Sequence, residues 1–151
     1  MALERVTPQE RAARDKELIT LLRQWRGLED LTIKSCATIL KKTQNPIVET
    51  LTTAIKNDSE KHKAILQLII DGMTKKGFVL TPEDLADVAS FVDKHIDLEQ
   101  KAIEMAERAI ELSRDAIVKQ MLKTILDDEK KHEKMAVQMS ELKIRITGKI
   151  T

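Results

Sequence analysis

The residues of this chain best suited to chemistry are Glu129 and His132, in the run Asp127-Asp128-Glu129-Lys130-Lys131-His132. Three residues apart on a helix, a carboxylate and an imidazole share one face. They converge on a point above it, which is a two-point grip for a divalent cation. A related run, Asn57-Asp58-Ser59-Glu60-Lys61-His62, stands earlier. His62 and His132 are 70 positions apart (132 − 62). The same offset aligns Leu28-Glu29 with Leu98-Glu99, Ile33 with Ile103, Ile47-Val48 with Ile117-Val118, Ile55 with Ile125 and Asp58 with Asp128. The chain therefore reads as two copies of one helix pair. One copy carries Glu29, Ser59 and His62, the other Glu99, Glu129 and His132.

Four helices must position these residues, and their ends are written in the sequence. Thr7-Pro8-Gln9-Glu10 holds a capping threonine, a proline suited to the first helical position and an acid at the third. Thr81-Pro82-Glu83-Asp84 repeats the signal. Asn45-Pro46 and Ser113-Arg114-Asp115 interrupt the helical pattern and start it again. The spacing predicts helices over about 8–42, 46–71, 82–112 and 115–142, with short links that make antiparallel pairs. Apolar seams at three- and four-residue spacing run through Leu18, Leu22, Trp25, Glu29, Thr32, Cys36 and Ile39, then Val48, Thr52, Ile55, Ser59, His62, Leu66 and Ile69. In the second copy they run through Val88, Val92, His95, Glu99, Ala102, Ala106 and Ile110, then Val118, Leu122, Ile125, Glu129, His132, Ala136 and Met139. The stretch from Asp71 to Leu80 is the one candidate crossover. The tail from Lys143 loses the pattern.

Bulk composition narrows the class. The chain has 151 residues, 42% apolar and 34% charged, with 2% aromatics, no Tyr, four Gly and three Pro. Such a scarcity of strand and turn formers predicts an all-α protein of one domain, residues 1–151. With 26 basic and 25 acidic residues the net charge is +1, which gives no footing to nucleic-acid binding. Cys36 stands alone, so no intrachain disulfide and no cysteine-rich metal module is expected. No apolar run suits a signal peptide or a membrane span, and the expected location is the cytoplasm.

The seams are apolar except at one level, where Glu29, Ser59 with His62, Glu99, and Glu129 with His132 are expected. Unpaired buried charge is costly, so three carboxylates and two imidazoles in a core layer call for neutralisation. One answer is a divalent metal, because oxygen and imidazole donors suit iron, manganese or zinc. The other is a metal-free polar layer in which protonated histidines offset carboxylates. His95, one turn before Glu99, is either an extra ligand or a core histidine bonded to a neighbour. Its mate 70 residues earlier is Trp25, which favours a wall-lining role.

Taken together, these elements resemble the ferritin-like superfamily, and within it the rubrerythrin branch, over roughly Glu10 to Leu142. The matched elements are a lone Glu on the first helix (Glu29), a Glu-x-x-His-like pair on the second (Ser59, His62), a lone Glu on the third (Glu99) and Glu-x-x-His on the fourth (Glu129, His132). The resemblance implies a ferritin-like four-helix bundle built from two duplicated helix pairs. It implies metal ligands Glu29, His62, Glu99, Glu129 and His132, with Asp58 and Asp128 orienting the histidine of the other half from behind. Iron, as a di-iron centre, is the expected cofactor, with manganese or zinc as alternatives. The expected function is an oxidoreductase acting on O2 or peroxide, of the rubrerythrin peroxidase or ferroxidase kind. The alternatives are a metal store, carrier or sensor without turnover, and a metal-free scaffold.

Two departures stand out. Ser59 occupies the place of a bridging Glu, and Ala102 stands where rubrerythrins carry a further Glu. A ferritin-like path also requires the crossover to travel the length of the bundle. Ten residues reach ~33 Å at full extension, which is barely enough. A homodimer, domain-swapped so that one chain's first pair meets another's second, is the expected relief.

Overall fold

The structure, a computed structural model, describes residues 6–147, with the side chains at 76, 85, 87, 88, 90 and 143–147 outside the description. All the regular structure described is helical. The helices are α1 (Pro8–Lys42), α2 (Pro46–Asp71), α3 (Pro82–Leu112) and α4 (Ala116–Thr147). A short π-helical turn, Gly72–Lys76, extends α2. The chain divides into two compact units, 1–78 and 79–151. In the first, α1 packs on α2; in the second, α3 packs on α4.

The boundaries follow from the expected caps. Thr7 accepts from the Glu10 amide at 3.2 Å while its own amide donates to the Glu10 carboxylate at 2.7 Å, closing a capping box. Thr81 and Asp84 do the same at 3.2 and 3.0 Å. The link 43–45 ends on Asn45, whose side chain accepts from the amides of Ile47 and Val48 at 3.0 and 3.2 Å. The link 113–115 ends on Asp115, which accepts from Ile117 and Val118 at 2.8 and 3.0 Å. Each cap satisfies donors that the first helical turn leaves without a partner, and a proline opens α1, α2 and α3.

Two expectations about the chain path are corrected. The winding does not stop where α2 ends at Asp71: the backbone widens into the π-helical turn through Lys76, with the Thr74 hydroxyl bonded to the Ile70 carbonyl at 2.7 Å. Gly77, at φ 67°, then breaks it, a conformation that an L side chain adopts only with strain. At the other end α4 runs on to Thr147, past the expected stop at Leu142.

The seams are also narrower than their spacing suggests. In the first unit Leu22, Leu66 and Ile70 form a buried cluster, joined by Ile69 and Met73. Cys36 and Thr52 are buried along the same pair. In the second unit Val92, Ala106 and Ala136 are buried. Other residues expected inward are exposed: Leu18, Trp25 and Ile39 on α1, Val48, Ile55 and His62 on α2, Val118, Ile125, His132 and Met139 on α4. Two packed helices bury one stripe each, and the remaining apolar positions stay outside it. Val88, also expected inward, lies outside the described side chains.

Replacing Asp115 with Ala removes the acceptor for two amides at the start of α4. Urea unfolding at neutral pH should show a loss of about 0.5–2 kcal/mol.

Candidate metal centre

Each hairpin holds one buried carboxylate on its first helix. Glu29 is 9% exposed and Glu99 is 6% exposed. A carboxylate so placed must find hydrogen-bond donors or give up its charge. The two hairpins meet this demand differently.

In the first unit the donors are all protein groups. Trp25, one turn before Glu29 on α1, donates its indole N–H to Oε1 at 3.0 Å. From α2, His62 Nδ1 lies 3.3 Å from the same oxygen. Ser59, itself buried, also from α2, hydrogen-bonds the carboxylate. The Ser59 bond is the largest influence holding Glu29 below the usual carboxylate range, with Trp25 and His62 adding to it and burial opposing. Glu29 is thus a settled anion.

In the second unit the position of Ser59 belongs to Glu129, and a donor becomes an acceptor. His95 takes the place of Trp25, with Nε2 2.7 Å from Glu99 Oε1. His132 Nδ1 lies 3.8 Å from that oxygen and 3.7 Å from Glu129 Oε2. The second Glu99 oxygen, Oε2, is fully buried and accepts no hydrogen bond. Ligand atoms of Glu99, Glu129 and His132 all lie within 4.8 Å of one another. The Glu129 carboxyl is pushed above its ordinary range, first by the hydrogen bond it shares with Glu99, then by burial and the Glu99 charge, with His132 opposing. A proton or a cation between the two carboxyls relieves the same repulsion.

The expected site residues therefore fall into two clusters, each described within its own unit. Glu29, Ser59 and His62 meet in the first; Glu99, Glu129, His132 and His95 meet in the second. Asp58 and Asp128 receive the ammonium groups of Lys61 and Lys131, three residues on, at 2.7 and 2.6 Å. Glu60 is exposed and pairs with Lys56 at 3.2 Å. His95 lies against Glu99 from one turn earlier on α3. The donor role of Trp25 is new: its face was legible, but its bond was not. The sign that could have shown it is the shared four-residue spacing of Trp25-Glu29 and His95-Glu99, two ring N–H groups each one turn before a buried acid.

The donor set fits a divalent metal in the second unit. Two carboxylates and one imidazole suit iron, manganese or zinc, and the bare Glu99 oxygen is the place where a cation would replace a missing donor. Compared with protein-family models, with curated proteins and with solved structures, the chain gives no match.

The two clusters should respond oppositely to pH. Ser59→Ala removes the main donor to Glu29 and should cost about 1.5–3 kcal/mol, as for a hydrogen bond to a charged group. Because Glu29 is held low, that stability is present above the ordinary carboxylate pKa and should vanish as pH falls through the lowered one. Glu129 is held high, so its favourable contribution to the metal-free protein exists at low pH and is lost as pH rises through the raised value. Glu129→Gln should therefore stabilise the metal-free protein at neutral pH. Urea titrations across the acid range check both.

Proposed function

We propose that this is a ferritin-like, non-haem metal-binding protein whose metal is held by Glu99, Glu129 and His132. The observation that carries the reading is the buried Glu99 carboxylate, one oxygen of which has no donor, in a group whose ligand atoms from Glu99, Glu129 and His132 lie within 4.8 Å of one another. The finer fold reading, a four-helix bundle of two duplicated pairs, is supported by the offset of 70 residues between the clusters (132 − 62). It is supported too by the apolar stripes left exposed on both hairpins, which such a bundle would cover.

The activity proposed is oxidoreductase chemistry on O2 or peroxide with iron as the cofactor. Iron bound there would pass to the oxidant electrons taken from an external reductant, and redox-inert zinc in the same ligands would not. The chain's own part is to present two carboxylates, with Glu129, held high beside Glu99, giving up its proton on binding, and to hold Glu99 in place through His95.

A second reading, a metal store, carrier or sensor without turnover, has its own support. Glu29 is satisfied by Ser59, Trp25 and His62, so the first hairpin offers a metal much less than the second. One tightly held ion per chain fits a carrier as well as it fits an enzyme.

Chelator-stripped protein titrated calorimetrically with Mn(II), and anaerobically with Fe(II), should take up one ion per chain. Glu99→Gln, Glu129→Gln and His132→Ala should each weaken binding by more than the roughly 10–100-fold that loss of an outer partner costs. Uptake below a tenth of an equivalent, unchanged by these substitutions, rejects the metal reading. Exposing the iron-loaded protein to peroxide with an excess of a chemical reductant separates the two functions: many turnovers indicate the oxidoreductase, a single stoichiometric oxidation the carrier. Ser59→Glu should add a second ion by recreating in the first hairpin the pair of acids found in the second.

A further inference from the structure

The α3–α4 hairpin contains a cavity of about 120 Å³ beside the carboxylate pair, lined by Val92, His95, His132, Met135, Ala136 and Met139 among others. The counterparts 70 residues earlier (for example 92 − 22) are Leu22, Trp25, His62, Ile65, Leu66 and Ile69. There three of these positions are packed: Leu22 and Leu66 are buried in one cluster with Ile69 against it, while Trp25, His62 and Ile65 are exposed. Three differences remove bulk from the second hairpin, against one, Leu21 to Phe91, that adds a ring stacked on His95. Leu becomes Val at 92, Leu becomes Ala at 136 and Trp becomes His at 95. Three differences also bring in a soft donor. Isoleucine becomes methionine at both 135 and 139, and indole becomes imidazole at 95. His132 is common to both. Filling a core requires none of these donors, and Ile and Leu pack with better-defined shapes than Met.

We propose that this chamber is a binding site for a cuprous ion, ligated by the thioethers of Met135 and Met139 and by imidazole nitrogens of His132 and His95. The chemistry follows from the donors. Thioether sulfur is a poor ligand for hard divalent ions and a good one for Cu(I), and imidazole suits copper in either state. His132, Met135 and Met139 are spaced three and four residues apart and so share one face of α4. His95 completes the set from α3. His132 turns Nδ1 toward Glu99 and Glu129, which leaves its other nitrogen for the chamber. His95 turns Nε2 toward Glu99, which leaves Nδ1. The site adjoins the carboxylate centre, shares His132 with it and does not depend on it. It selects a different class of ion with different atoms.

The test is anaerobic titration of the full chain with Cu(I) against a competing cuprous chelator, with Ag(I) as a redox-inert surrogate. The wild type should bind one Cu(I) per chain and show copper–sulfur scattering in X-ray absorption. Met135→Leu with Met139→Leu should weaken Cu(I) by at least about 10–100-fold and abolish the sulfur scattering, with helicity and Mn(II) uptake unchanged. Glu129→Gln should do the reverse, losing Mn(II) and keeping Cu(I), so failure of the carboxylate reading and failure of this one are told apart. Val92→Leu with Ala136→Leu refills the chamber while keeping every donor, and should also lose Cu(I). The proposal is overturned if the methionine double variant binds Cu(I) as tightly as the wild type. Copper held through nitrogen and oxygen alone, or a refilled chamber that binds undiminished, overturns it equally.

Discussion

A carboxylate buried between two helices needs partners, and the organisation of both hairpins follows from that need. Glu29 and Glu99 occupy equivalent places, each gripped by a ring N–H from one turn earlier on its own helix and faced by a histidine from the neighbouring helix. The outcome then turns on one residue. Ser59 supplies a hydroxyl, and the first cluster closes as a set of hydrogen bonds around a stable anion. Glu129 supplies another acceptor, and the second cluster is left with surplus negative charge and one bare oxygen. Hydrogen-bond donors and cations answer the same electrostatic demand, so replacing a donor by an acid leaves that demand unmet by the protein's own groups.

The same contrast runs into the packing. Around Glu29 the neighbouring positions hold large aliphatic side chains in a buried cluster. Around Glu99 smaller residues leave a cavity, and the side chains that border it carry nitrogen and sulfur. Loss of close packing weakens a helix pair, since every missing methylene removes both burial and dispersion. The second hairpin tolerates that loss where its ionisable residues gather, the pattern expected when local stability has been exchanged for a site.

Much of the fold was legible in the sequence, because it is set by local signals. Thr7, Asn45, Thr81 and Asp115 are capping residues read directly from their types and spacing, and the helices begin beside them. The correspondence of the two clusters was legible too, since an offset of 70 residues between His62 and His132 (132 − 62) pairs each residue of one with a counterpart in the other, whereas their meeting in a single layer was an expectation from the bundle alone. What remained hidden was set by side-chain geometry. Spacing placed Trp25 and His95 beside their acids but did not show that each donates to one. It placed Leu18, Ile39 and Ile125 on the seam, but periodicity gives the direction of a side chain and not the depth at which it lies. The π-helical turn after Asp71 was hidden because Gly72 ordinarily signals the end of a helix, and here the backbone winds past it.

Each hairpin is complete within its own stretch of chain, the first by Phe78. Its turn, its caps and the partners of Glu29 are all in place before the residues of the second hairpin are needed. Contacts between segments so near in sequence close small loops, and small loops form fast. During synthesis the N-terminal half has everything required to take shape at the ribosome exit while α4 is still untranslated. The hairpin whose buried carboxylate has its donors in place is made before the one whose buried carboxylate keeps a bare oxygen.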